Sequence, residues 1–585
     1  MHGYIKTGNS QPAWLFPFVV IIVLILSVLP LARLAMVGIA AFADGGVMTV
    51  LGDASLWSST YYTVVTAILG TIISLIIGCL FAFLLTLTDI RAKGALSFFF
   101  VLPMMIPPQV TALAWVQMSG PSSPLLKALH IAPPMGSPQP LYSVGGIALL
   151  YGVQHAPLVY LALRAGLMTL PRDGVEAARL SGATSLRVFR DIILPLSLPG
   201  IIAGAAISFV SCTGNFGIPA ILGIPASIFT LPTLIFTKFS AFTNRTFGDV
   251  AVLSAIIAII SIVGLMIQDR ALRGRDYRVI GLSGASAAFE LGAWRFVFTP
   301  LVWTILFFML AAPFFALIAG ALVPAYGVPL TFKTMSLHAF QEILFRQAVT
   351  RTAFINSLSL AAATALCLLV VTVLAAYALT RRRDLASRIV SSLIEIPYSL
   401  PGIVMAVSFI LVFAAPIPIL HVSLYGTIWI ILIAYFSSFF AVSLKPVVSA
   451  FHQLDPALEE AARLSGAGFF RRLADIIVPL IAPAAGASVI LVFLIACNEL
   501  TISALLWSAG TQTLGVAIYN LDDSGSSDLA SALSVLVVLL VVALMLLLEF
   551  WRNDCRKEWS HGEADPQPAL QGFWYRPSRR QRFFA

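Results

Sequence analysis

Long apolar runs separated by short polar segments dominate this chain. Twelve runs are long enough to cross the ~30 Å hydrocarbon core of a bilayer as helices. The predicted spans are 14–40, 61–87, 96–118, 145–169, 197–220 and 248–268, followed by 296–322, 355–379, 387–413, 424–448, 481–507 and 528–550. The pattern therefore predicts an all-α polytopic membrane protein with about twelve transmembrane helices.

Composition agrees with this class. Of the 585 residues, 59% are hydrophobic and only 10% are charged, whereas a soluble domain has about 25% charged residues. A membrane β-barrel would show short alternating segments instead. The first apolar run is too long for a secretory signal, which predicts a retained helix. The five cysteines have no CxxC spacing, so neither a disulfide framework nor a metal site is predicted.

Basic residues are concentrated on one side of the predicted topology. If the N-terminus is cytoplasmic, most of the 35 Lys and Arg residues lie in cytoplasmic segments, as the positive-inside bias requires. We therefore expect both termini in the cytoplasm. The net charge of +9 gives no reason to expect a nucleic-acid partner, and membrane lipid is the expected surrounding.

One polar sequence occurs twice in this apolar chain. Glu176-Ala177-Ala178 is followed by Gly182, and Glu460-Ala461-Ala462 is followed by Gly466, 284 residues further on. Each copy contains strong helix formers and a glycine suited to ending a helix, which predicts two short helices. A plain connecting hairpin would explain one such loop. Two near-identical loops in otherwise diverged halves favour a shared docking role.

The two halves also match in a proline-containing span. Pro108 in the third predicted helix corresponds to Pro401 in the ninth, at an offset of 293. Six helices in each half make the repeats parallel, related by an axis along the membrane normal. The predicted segments are a first helix and outer loop (1–60), a first domain (61–268), a cytoplasmic linker (269–295), a seventh helix and outer loop (296–354), a second domain (355–550) and a cytoplasmic tail (551–585).

The repeated loops resemble the signature of the membrane-spanning permeases of ABC importers. That signature is EAA, a glycine, and an apolar stretch ending in Leu-Pro. The first copy ends in Leu194-Pro195 and the second in Val478-Pro479, so only Val478 departs from it. The resemblance covers about 60–268 and 353–550. It implies a type I importer permease with two fused transmembrane domains in a bacterial inner membrane.

The resemblance also implies a division of labour. The loops would act as coupling helices on an ABC ATPase homodimer, and a periplasmic or lipid-anchored binding protein would deliver the solute. No GxxxxGK[ST] phosphate loop occurs in the chain, so ATP and magnesium are expected on the partner ATPase. We expect a transport subunit that binds no cofactor and catalyses no reaction itself.

The fused architecture looks like the ferric-iron type of permease. The supporting residues are Asn356-Ser357, Asn215-Phe216-Gly217-Ile218-Pro219 and Glu499-Leu500-Thr501. Ferric iron is therefore the expected solute. Permeases for 2-aminoethylphosphonate, thiamine or polyamines remain alternatives. A different class, an ion-gradient-driven secondary transporter of two six-helix halves, also has parallel repeats.

Polar residues inside predicted spans are candidates for the solute pathway, because ionisable groups in a membrane are costly. Glu499 is the strongest, with Asn498 beside it and Asn215 at the matching position 284 residues earlier. We expect Asn215 and Glu499 to face each other across the seam between the halves. The alternative is that Glu499 caps an outer loop in water. Proline breaks or kinks helices, so a gate or helix break is predicted at Pro107, Pro108 and Pro401, with bending for packing alone as the alternative.

Overall fold

The computed structural model describes residues 12–43, 46–168, 170, 172–241, 246–272, 289–382, 384–416 and 421–562. Within these ranges the secondary structure is helical, with one isolated β-bridge between Thr88 and Phe289. Ten described helices are long and apolar enough to cross a membrane, and two further pairs of helices would each make one bent span. The predicted all-α polytopic class is confirmed. Most of the predicted linker and tail lies outside the described residues.

The first half contains ten helices that matter for the site. They are α1 (Leu15–Ala43), α2 (Ala54–Leu87), α3 (Lys93–Met105), α4 (Pro108–Ser119), α5 (Val144–Met168), α6 (Arg172–Leu180), α7 (Ser185–Gly214), α8 (Gly217–Leu222), α9 (Leu231–Ser240) and α10 (Thr246–Leu272).

The second half repeats this order. Its helices are α11 (Gly292–Ala321), α12 (Ala348–Thr380), α13 (Leu385–Ser399), α14 (Gly402–Phe413), α15 (Ile428–Gln453), α16 (Pro456–Leu464), α17 (Phe469–Cys497), α18 (Ser503–Leu506), α19 (Leu514–Asp523) and α20 (Ser527–Gly562). One compact unit ends at Val537, and a second unit, 538–585, contains the remainder of α20.

The third and ninth predicted spans are bent pairs, not straight helices. The chain turns by 103° between α3 and α4, and by 107° between α13 and α14. Pro107 and Pro401 cap the second helix of each pair in an extended conformation, with ψ of 136° and 138°. Proline has no N–H to continue the preceding helix. These two prolines are structural equivalents, so the offset here is 294 and not 293.

The fifth and eleventh predicted spans, 197–220 and 481–507, are wrong at both ends. α7 and α17 begin twelve residues earlier, because the second helix of each polar loop continues through one π-helical turn into the span. Both helices then end at Gly214 and Cys497, inside the apolar run. Hydropathy did not reveal these endings, because the residues beyond the break are as apolar as those before it.

Glycines bring α2 and α5 into close contact, as small residues do between membrane helices. A Cβ on Gly78 would lie 2.7 Å from the Ala156 carbonyl oxygen and 2.7 Å from the Val159 Cβ. One turn away, the Ser74 hydroxyl donates to the Gly152 carbonyl oxygen at 3.2 Å. α7 packs against both helices, and together the three form the core of the first half.

The first helix of each half packs on the opposite half. α1 lies against α12, α13 and α14, and the Ser437 hydroxyl donates to the Leu26 carbonyl oxygen at 2.7 Å. α11 lies against α3 and α4, with the rings of Phe99 and Trp303 6.1 Å apart. This exchange was not predicted from the sequence. It joins the two halves into one intertwined structure.

We expect Gly78→Ala to destabilise the protein, because its new methyl group would overlap the backbone of α5. Overpacking of this kind costs ~1–3 kcal/mol. The midpoint of thermal unfolding of the detergent-solubilised protein should therefore fall by several degrees.

Gly38→Ala provides the matched control. Gly38 lies within α1 and has no atom within 4 Å of its Cβ position, so alanine should only improve helix propensity by ~1 kcal/mol. Its unfolding midpoint should stay the same or rise. Equal destabilisation by both substitutions would contradict the packing described here.

Candidate functional site

Each polar loop forms a helix that ends in the same backbone motif. After α6, the Gly182 N–H donates to the Arg179 carbonyl oxygen at 2.9 Å, and the Ala183 N–H donates to the Ala178 carbonyl oxygen at 3.0 Å. The corresponding bonds after α16 are both 3.0 Å. This is the Schellman motif, which requires a left-handed residue. Gly182 and Gly466 supply it, with φ of +80° and +83°.

The loops present a charged and an apolar group at corresponding positions. Glu176 and Glu460 are exposed, in the middle of α6 and α16. Leu180 is 91% exposed and Leu464 is 90% exposed, each at the last position of its helix. A single exposed leucine is common on a protein surface, but equal exposure at the same position of both loops indicates a shared role. Both loops lie at the same end of the helical bundle, because the repeats are parallel.

Aromatic residues from the start of one half pack on the loop of the other. The ring of Trp14 stacks on Phe470 at 6.2 Å, with 21° between their planes. Phe289, just before α11, packs in the apolar cluster beneath the first loop, and the Arg179 guanidinium lies 5.6 Å from its ring centroid. The exchange of first helices therefore extends to the loops.

The predicted pathway residues lie at the breaks that follow α7 and α17. Asn215 Oδ1 accepts the Ile218 N–H at 3.1 Å, at the start of α8. The Glu499 carboxylate accepts the N–H groups of Ile502 and Ser503 at 2.7 and 3.2 Å, at the start of α18. Each side chain thus satisfies backbone donors of its own half. The expected face-to-face arrangement is not among the described contacts.

Asn498 is the predicted residue that bonds across the seam. Its Nδ2 donates to the Met105 carbonyl oxygen at 2.6 Å, where α3 ends. On the other side, a Cβ on Gly214 would lie 3.2 Å from Pro401. The structure therefore brings the predicted proline breaks together with the ends of α7 and α17. These contacts close the seam between the halves.

Two glutamines, Gln154 and Gln109, lie beside the first break, and sequence reasoning overlooked Gln109. Gln154 Nε2 donates to the carbonyl oxygens of Pro103 and Ile106 at 2.8 and 2.9 Å, at the point where the chain turns. The Pro103 carbonyl oxygen also accepts the Ile106 N–H at 3.3 Å. Gln109 is fully buried between Gly217 and Gly515, and its amide has no partner among the described residues. A polar residue directly after Pro107-Pro108 in an apolar run was the available signal.

A cavity of about 200 Å³ opens at the end of the bundle opposite the loops. Residues of both halves line it, and its polar lining consists mainly of phenols and carboxyls, from Tyr142, Tyr326, Tyr519, Asp522 and Asp523. Burial raises the pKa of Asp522, and the neighbouring Asp523 raises it further, although a hydrogen bond from Ser527 opposes the shift. Two carboxyl groups give this cavity an acidic lining, although the described residues contain no group of three His, Cys, Asp or Glu side chains that could hold a metal ion.

Comparison with known proteins agrees with the repeated architecture. Residues 74–276 and 369–553 each match the binding-protein-dependent transport system inner membrane component family. The probable ABC transporter permease protein y4fN of Sinorhizobium fredii is 26% identical, covering 84% of this chain and 86% of that protein. The ferric transport system permease protein FbpB of Actinobacillus pleuropneumoniae is 24% identical, covering 83% and 70%.

A shorter relative matches one half. The molybdenum transport system permease protein ModB of Escherichia coli is 30% identical, covering 31% of this chain and 79% of that protein. Two family domains therefore account for most of the chain, one in each half. The chain belongs to the binding-protein-dependent transport system inner membrane component family and is an ABC importer permease with two fused domains.

Proposed function

We propose that the two loops are coupling helices that dock on a pair of ATPase subunits. The observation that carries this proposal is the exposure of Leu180 and Leu464 at the same position in both copies. An apolar tip on an otherwise polar helix fits a cleft with an apolar floor. The loop end is then cytoplasmic, as are both termini. ATP and magnesium bind to the ATPase homodimer and not to this chain.

The seam between the halves is the proposed solute pathway. In the structure it is closed where Asn498 reaches the end of α3 and Gly214 meets Pro401. Opening requires these contacts to separate, and the bent pairs α3/α4 and α13/α14 provide the joints. A binding protein, periplasmic or lipid-anchored, would deliver solute to the opposite end, where the cavity lies.

The proposed solute is ferric iron. Support comes from the FbpB relative, which spans most of this chain, and from the paired acids Asp522 and Asp523 in the cavity. Carboxylates attract a cation and repel an oxyanion. The similarity to ModB, a molybdenum transport permease, makes an oxyanion an alternative solute. Further alternatives are 2-aminoethylphosphonate, thiamine and polyamines. Family membership favours ATP over an ion gradient as the energy source.

Replacing Gly182 or Gly466 by valine should uncouple ATP hydrolysis from import. Both sites have open space around the Cβ position, so the cost is backbone strain. A left-handed conformation costs a residue with a Cβ ~1–2 kcal/mol, and more for a β-branched residue. We expect solute import per ATP, measured in proteoliposomes with the ATPase and binding protein, to fall about tenfold.

Asparagine at the same positions separates backbone strain from the presence of an added side chain. Asparagine tolerates the left-handed region, so Gly182→Asn and Gly466→Asn should keep most of the coupling. Gly174→Ala, in the same loop but with no positive φ, should behave as wild type. Valine variants that import at the wild-type rate with bound ATPase would refute the coupling role.

Asp522→Asn should reduce ferric-iron import several-fold and flatten its pH profile. The raised pKa of Asp522 means that its carboxyl takes up a proton at a higher pH than an ordinary aspartate. As the pH falls towards that pKa, the cavity loses negative charge and the wild type should lose import. The variant has no such proton to gain at this position.

Radioactive ferric iron and molybdate, each delivered by its own binding protein to proteoliposomes, provide the measurement. Glu342→Gln is the control, because Glu342 forms an ion pair with Arg346 outside the cavity. It should leave both uptake rates unchanged. Import of molybdate but not of iron would refute ferric iron as the solute, while the assignment as a permease would stand.

A further inference from the structure

The second loop rests on buried charges. Glu459, next to the EAA motif, is 7% exposed and lies on the inner face of α16. Its carboxylate forms ion pairs with Arg381 at 2.8 Å and with Arg472 at 3.6 Å. It also accepts a hydrogen bond from the Tyr377 hydroxyl. Arg472 is itself only 6% exposed.

These partners connect the loop to a membrane span. Tyr377 is in the last turn of α12, and Arg381 caps the end of the same helix. Arg472 lies in the first turn of α17. The Glu459 carboxylate therefore joins the coupling helix to two membrane spans of the second half through charged or strongly polar contacts.

In the first loop, apolar residues occupy the corresponding positions. At the 284-residue offset, Val175 corresponds to Glu459 and Val188 to Arg472. Val188 is fully buried, and Val175 packs on the same apolar cluster together with Phe289. Among the residues of α6 whose burial is described, 174–180, no charged side chain is buried.

Because the first loop folds with apolar residues at these positions, stability alone does not explain the buried charges of the second loop. A buried ion pair is weak evidence for stability, because apolar residues of similar volume often serve as well. Apolar contacts allow a helix to slide or rotate at little cost. An acid between two arginines fixes both the distance and the direction of its partners.

Building on the coupling role proposed above, we infer that Glu459 is a positioning residue that fixes the second coupling helix to α12 and α17. Movement of these spans is transmitted directly to the second loop. The first loop, held by apolar packing, follows its half more loosely. The two loops are thus mechanically unequal, although their EAA sequences match.

Spin labels on the two exposed leucine positions test the inference in the full chain. In a background without the native cysteines, a nitroxide is attached to Leu180→Cys or Leu464→Cys, and its mobility is measured by EPR without any partner. Glu459→Gln should increase label mobility at position 464 at least twofold and leave position 180 unchanged. Glu459→Asp, which keeps the charge, should restore part of the order.

A double variant exploits the repeat. Glu459→Val with Arg472→Val gives the second loop the residues of the first, and label mobility at 464 should approach that at 180. Asp475→Asn is the control, because its ion pair with Arg471 is exposed and such pairs contribute little. It should leave mobility at 464 unchanged.

The same variants are then assembled with the ATPase and the binding protein. Glu459→Gln should lower solute import per ATP at least threefold while ATPase subunits remain bound. Unchanged mobility at 464, or an equal increase at both positions, overturns the inference. Failure of the wild-type chain to stimulate any ATPase refutes the proposed function instead, whatever the labels show.

Discussion

Breaks in membrane helices govern this structure, because hydrocarbon offers no water to backbone groups that lose their helical partners. Four spans are interrupted, and at three of the breaks side chains supply bonds to the freed backbone groups. Asn215 and Glu499 accept N–H groups where α8 and α18 begin. Gln154 and Asn498 donate to carbonyl oxygens near the end of α3. These three breaks therefore lie where protein side chains can reach them.

The exchange of first helices follows from the same constraint. α3 and α4 turn by 103°, so neither crosses the membrane as a full-length helix. α11 of the other half packs against both, and α1 does the same for α13 and α14. Each half therefore supplies the helix that packs against the bent pair of the other half. The proposed solute pathway therefore lies between elements that both halves pack against.

The sequence predicts the parts of this fold that depend on local chemistry. Apolar runs located the spans. The EAA repeat located both loops, because helix-forming residues and a terminal glycine can be recognised from the sequence alone. The packing partners of α1 and α11 could not be predicted, since any apolar helix satisfies the same hydropathy rule. The exact ends of α7 and α17 could not be predicted either, because the apolar run resumes after Asn215 and after Asn498-Glu499. The cavity at Asp522 depends on bringing five segments together, which no local pattern shows.

Charge is distributed unequally between halves that share one fold. Glu459, Arg472 and Glu499 stand where the first half has Val175, Val188 and Asn215. A further pair, Lys445 and Glu395 at 3.5 Å, replaces Leu161 and Val101 at offsets of 284 and 294. A permease of two identical chains would carry every such charge twice. Fusion removes this restriction, because each half can change by itself. The second half pairs most of these charges within its own elements, while the first half keeps neutral residues at the corresponding positions.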